Sequence, residues 1–82
     1  MTDSTSPDPA RTVDARGLRC PLPLLRARNE IDLLASGEVL EVLATVPGAD
    51  HDLRAWTRRA RHEFLSVDEQ PGPVFRFLLR KA

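Results

Sequence analysis

The segment TVDARGLRCPLPLLRARNEIDLLASGEVLEVLA, residues 12–44, reads as strand, turn, helix and strand. Thr12 to Ala15 predicts a short first strand with Val13 pointing inward, and Gly17 then frees the backbone to turn. Cys20 to Ala35 predicts the first helix. Pro21 stands where a first helical residue tolerates a missing N–H, and Pro23 is still inside the first turn. Leu24, Ala27, Ile31 and Leu34 recur at spacings of three, four and three, which lines one helix face with apolar groups, while Arg26, Asn29 and Glu30 fall off that stripe. Gly37, after the last periodic residue, is the expected C-terminal cap. Val39 to Ala44 is apolar apart from Glu41 and predicts the second strand.

Downstream, Pro47 and Gly48 break that strand, and Asp50 is the expected N-cap of a second helix. Leu53, Trp56 and Ala60 form its expected buried stripe; Arg54, Arg58, Arg59 and Arg61 fall largely elsewhere. Phe64 to Asp68 predicts a third strand. In Val74 to Arg80, Phe75, Phe77 and Leu79 alternate with Arg76, Leu78 and Arg80, which predicts a fourth. Gln70, Pro71, Gly72 and Pro73 supply the turn that joins the last two as a hairpin. The order is βαβαββ. The expected fold is a two-layer α/β sandwich, a four-stranded mixed sheet with both helices on one face. Residues 1–11, rich in Ser, Thr, Asp and Pro, predict a disordered tail, so the folded domain is expected over residues 12–82.

The chain has 82 residues, enough for one domain with a modest core. Twelve basic residues balance twelve acidic ones, which removes the simplest argument for nucleic-acid binding, a strong positive excess. The aromatic residues Trp56, Phe64, Phe75 and Phe77 all fall at expected core positions, so no stacking platform for RNA is expected either. The polar first ten residues show no signal peptide, and no run approaches the ~18 apolar residues of a membrane span. Cys20 is the only cysteine. It excludes an internal disulfide framework, and together with two separated histidines it does not suggest a zinc site. A single thiol favours a reducing compartment, so the expected location is the cytoplasm.

Cys20 carries the chemistry. At the start of a helix it meets the positive end of the macrodipole, and Arg16 and Arg19 add positive charge nearby. Both effects are expected to favour thiolate and lower the thiol pKa. A thiolate there can attack a persulfide on a donor, and the helix end would then stabilise the anionic product. Pro21 and Pro23 would hold the sulfur in one place at the surface. With no second cysteine, nothing within the chain can resolve such a persulfide, and a Cys-x-x-Cys oxidoreductase is excluded. A lone cysteine can equally be an inert filler of the core.

The residues Asp14, Gly17-Leu18 and Cys20-Pro21-Leu22-Pro23 resemble the signature of the TusA family of sulfur carriers, also called SirA-like. Gly37 to Leu40, Ala44 to Pro47, Asp52-Leu53 and His62 to Leu65 are similar to further stretches of that family, in the right order. The resemblance spans about Thr12 to Lys81. It implies the same βαβαββ sandwich, with no cofactor and no metal. It also implies that Cys20 takes sulfur from a cysteine desulfurase or a rhodanese-type donor. Cys20 would then hand it to an acceptor protein in tRNA thiolation, molybdenum cofactor synthesis or sulfur oxidation. Val46 departs from the family, which commonly has Asp before Pro47, and that bears on the choice of partner.

The residues expected to support the site each have a plainer reading. Asp14 either orients the loop presenting Cys20 or bonds to local backbone. Gly17 supplies backbone freedom. Arg19 either tunes Cys20 or is a solvated surface group. His62, at a helix-to-strand junction, is expected to make local hydrogen bonds, since transfer needs no general base once the thiolate is formed. Three functions stay open. One is a sulfur carrier acting through Cys20; another is a non-catalytic regulatory interaction module in which Cys20 is structural; the third and weakest is an RNA-binding domain, since similar small βαβαββ folds can bind RNA.

Overall fold

The computed structural model describes residues 8–82. The tail expected over residues 1–11 lies, for residues 1–7, outside the described residues; Arg11 belongs to the first strand. The elements are β1 (Arg11–Ala15), α1 (Leu22–Ile31), β2 (Val39–Ala44), α2 (Ala49–Ala60), β3 (Glu63–Gln70) and β4 (Val74–Arg80). The sheet order is β1-β2-β4-β3. β1 pairs parallel with β2, and β4 runs antiparallel to both β2 and β3. The sheet is therefore mixed, as expected.

Topology explains why the helices share a face. β1 to β2 and β2 to β3 are both crossovers between parallel strands, and both step across the sheet in the same direction. Right-handed crossovers then place α1 and α2 on the same side. The core lies between them and the sheet. Val13, Ala15, Leu40, Val42, Ala44, Phe77 and Leu79 from the strands meet Ala27, Ile31, Ala49 and Leu53 from the helices. Alternate residues of β1, β2 and β4 enter the core because strand side chains alternate faces, while β3 contributes the half-buried Phe64 and Val67 on either side of a register shift. On the opposite face Arg76 pairs with Glu41 and Asp68, Arg80 pairs with Glu63, and Thr12 donates to Glu41. Burial raises the Glu41 pKa, but hydrogen bonds from Arg76 and Thr12 outweigh it and leave the carboxyl below its ordinary value.

Several boundaries differ from expectation. α1 begins at Leu22, with Pro21 as N-cap and Pro23 inside the first turn, so Cys20 precedes the helix. Neither ring removes an intrahelical bond, because first-turn N–H groups have no partner within the helix. The helix ends at Ile31, not Ala35. The N–H groups of Leu33 and Leu34 donate to Glu30 and Ile31, tighter turns that still return Leu34 to the core. Gly37 does not cap the helix; its N–H donates to the Lys81 carbonyl at 2.8 Å.

In α2 the N-cap is Gly48, not Asp50, which lies in the first turn and pairs with Arg54 one turn on. The buried stripe is Ala49, Leu53 and Thr57. Ala60 is exposed and Trp56 only half-buried, because the helix rotates its Leu53–Thr57 edge onto the sheet. Thr57 satisfies its buried hydroxyl by donating to the Leu53 carbonyl at 2.9 Å. β3 is longer than expected at both ends and carries a register shift between Phe64 and Ser66.

Candidate functional site

The loop from β1 to α1 is held by three hydrogen bonds and one buried ring. Gly17 adopts φ +80°, a conformation that side chains disfavour, and its N–H donates to Thr45 Oγ1 at the end of β2 (2.9 Å). The Leu18 N–H donates to the Ala15 carbonyl, and the Leu22 N–H to the Arg19 carbonyl. Pro23 is fully buried beneath the loop, so its ring acts as a packing anchor as well as a stiffener. Pro21 and Arg19 are exposed. Between them Cys20 presents an exposed, free thiol.

The partner of that thiol comes from α2. Cys20 Sγ–H donates to Asp52 Oδ2 at 2.8 Å. Asp52 sits in the first turn of α2, where an acidic side chain complements the helix dipole. Packing of α2 beside α1 brings the two residues together across 32 positions of sequence.

This contact reverses the expected electrostatics of Cys20. Its pKa is raised above the ordinary thiol value, first by the hydrogen bond to Asp52, then by partial desolvation and the Asp52 charge. The expected lowering rested on the macrodipole of α1 and on Arg16 and Arg19. The macrodipole amounts to about half a charge, so even at the same distance it offsets only about half the effect of a full carboxylate charge. Arg16 is engaged elsewhere. It holds Asp14 through two side-chain hydrogen bonds, at 2.8 and 2.7 Å, and one from its backbone N–H. Those bonds lower the Asp14 pKa to about 2 and raise that of Arg16. Asp14 thus shapes the loop locally and makes its bonds to Arg16 rather than to Cys20.

Beside the thiol a shallow cleft of about 380 Å³ runs between the helices, lined by Leu24 and Arg28 of α1 and by His51, Asp52, Trp56 and Arg59 of α2. Asp52 therefore faces both the cleft and the sulfur. His62 lies away from it. Its Nδ1 accepts from the Ala82 N–H at 3.0 Å, its ring meets Trp56 edge-on, and burial followed by the Lys81 charge lowers its pKa. Of the Arg run on α2, Arg54 pairs with Asp50 and lies over the Phe64 ring, while Arg58 and Arg59 are exposed.

Residues 11–81 match the family model described as sulfurtransferase TusA. The chain belongs to the TusA family. It is 41% identical over 70 residues to the sulfur carrier protein TusA of Allochromatium vinosum, covering 85% of this chain and 91% of that protein. The crystal structure of a SirA-like protein from Desulfitobacterium hafniense superposes with a TM-score of 0.77 over 85% of this chain and 95% of that one. At 24% identity that likeness speaks for the fold alone. Among the described residues, no helix is long and apolar enough to cross a membrane.

The family resemblance drawn from the residues is thus correct. Sequence reasoning missed the contact of Asp52 with Cys20. The available signal was its place in the Asp52-Leu53 pair, one of the segments similar to the family, in the first turn of the second helix.

Proposed function

We propose that this chain is a sulfur carrier that holds a sulfane sulfur as a persulfide on Cys20 and delivers it to a partner protein. The observation that carries the reading is an exposed lone thiol, fixed by an anchored loop, in a chain of the TusA family. Asp14, Gly17, Arg19, Pro21 and Pro23 support the site by shaping that loop.

The reaction is redox-neutral. Cys20 Sγ attacks the outer sulfur of a donor persulfide, a new S–S bond forms on Cys20, and the donor's S–S bond breaks. The electron pair leaves on the donor cysteine, which takes up a proton. Discharge is the same exchange with Cys20 as leaving group. The donor is a cysteine desulfurase or a rhodanese-type protein. The acceptor is a protein of tRNA thiolation, molybdenum cofactor synthesis or sulfur oxidation, and the exchange takes place in the reducing cytoplasm. The raised thiol pKa suits a regulatory interaction module as well, but an exposed thiol does not suit a structural one.

The test is intact mass after incubation with a cysteine desulfurase and cysteine. The expected result is a gain of one sulfur atom that reductant reverses and that Cys20→Ser lacks. No gain from several donors, with the protein folded and its thiol free, overturns the reading.

A further inference from the structure

A carrier thiol is attacked and discharged inside a complex with another protein. Docking on an exposed residue displaces the water around it. A thiol held neutral must then pass its proton to a group within the complex before its sulfur can attack. Among the described residues, one carboxylate lies within hydrogen-bond reach of that proton: Asp52 Oδ2, 2.8 Å from Sγ. This separation falls within the range required of a general base.

We propose that Asp52 is a second catalytic residue, which takes the Cys20 proton as sulfur is loaded and supplies one to Cys20 as sulfur is discharged. The inference rests on the carrier reading above. In loading, the proton moves from Sγ to Asp52 as Sγ bonds to the outer sulfur of the donor persulfide. The donor's S–S bond breaks, and the proton passes from Asp52 to the departing donor thiolate. In discharge, an acceptor thiol gives its proton to Asp52 and attacks the outer sulfur, and the departing Cys20 thiolate takes that proton. Protons and electrons balance without an added oxidant or reductant.

The neighbouring charges suit this role. Arg28 of α1 and His51 and Arg59 of α2 line the cleft onto which Asp52 opens, and Arg19 adjoins Cys20 in the chain. None of them accepts a hydrogen bond from the thiol, and guanidinium groups cannot act as bases at neutral pH. Asp14, the carboxylate near the end of β1, is occupied by Arg16.

Two rates measured on Asp52→Asn give opposite answers if Asp52 is the base. Alkylation by iodoacetamide needs only the thiolate, so removing the negative neighbour should speed it near pH 7. Loading from a cysteine desulfurase and cysteine, followed by intact mass, needs the proton acceptor. It should slow by about a hundredfold, the lower end of what general acid–base catalysis contributes. Faster alkylation with undiminished loading overturns the proposal and leaves Asp52 as a brake on the thiol. Unchanged alkylation removes the hydrogen bond on which the proposal stands.

If the variant does not fold, the wild type supplies the test. Its loading rate should vary less steeply with pH than its alkylation rate between about pH 6 and 8, and parallel profiles overturn the proposal. Failure of the wild type to load at all refutes the carrier reading itself, a result distinct from any of these.

Discussion

Leu53 follows Asp52 in α2 and is completely buried, so it tests whether packing of this helix holds the site together. Leu53→Ala removes three carbon atoms. At about 0.8 kcal/mol per carbon, lost burial alone costs about 2.4 kcal/mol. The cavity left beneath α2 raises this to about 3 kcal/mol, inside the range of about 2–5 kcal/mol seen for such changes. A domain of this size loses about 4–8 °C in Tm per kcal/mol, so thermal denaturation followed by circular dichroism should show a drop of about 12–24 °C. Leu33 is the internal control. It has the same chemistry but is 65% exposed, and Leu33→Ala should stay within about 0.5 kcal/mol of wild type. Because Leu53 pins the turn that carries Asp52, the variant should also label faster at Cys20 under native conditions. A Leu53→Ala protein that melts within about 4 °C of wild type, or that matches Leu33→Ala, would show that α2 is not anchored through this residue.

Two further consequences follow from the same geometry. The folded-state pKa of Cys20 is raised, so its contribution to stability is complete below the unfolded thiol value of about 8.5 and fades as pH rises through the higher folded value. Urea midpoints should therefore decline more steeply above about pH 8.5 in wild type than in Cys20→Ser, and equal slopes would contradict the Asp52 contact. Gly48 caps α2 with φ +95° and, among the described residues, has nothing within 4 Å of where a Cβ would stand. Gly48→Ala should then cost about 1–2 kcal/mol from backbone strain alone, and Gly48→Asn less; equal losses in urea titrations would refute a torsional cause.

Where the fold was legible, side-chain periodicity made it so. In β4, Phe77 and Leu79 enter the core and Phe75 packs against it, while Arg76 and Arg80 on the other face meet Glu41 and Glu63; Leu78 shares that face yet is buried. The Pro71-Gly72-Pro73 turn fixed the hairpin, because no strand continues through that sequence. Helix ends were less legible. Leu34 fits the apolar stripe of α1 but reaches the core after the helix has already tightened and ended at Ile31, so periodicity overran the boundary. The α2 stripe went wrong at Thr57, whose hydroxyl is hidden by a bond to its own helix backbone. A polar residue that satisfies itself locally does not look like a core residue from its type. The position of β4 between β2 and β3 depends on pairing across the whole chain, which local pattern does not encode.

The site divides along the same line. Cys20 was visible because Gly17, Pro21 and Pro23 mark a turn into a helix within a few residues. Its electrostatics were not, because the deciding charge arrives from another helix. Local reasoning summed the positive features next to the sulfur and predicted a thiolate; tertiary packing set one carboxylate at 2.8 Å and reversed the sign. That reversal suits a carrier better than the expected thiolate does. An exposed thiolate without a resolving partner reacts with any oxidant or disulfide it meets, since reactivity follows thiolate fraction and access. Cys20 is exposed, so a low thiolate fraction is what protects it. Asp52 lowers that fraction in the free protein, and under the proposed mechanism the same carboxylate takes the proton once a donor has docked.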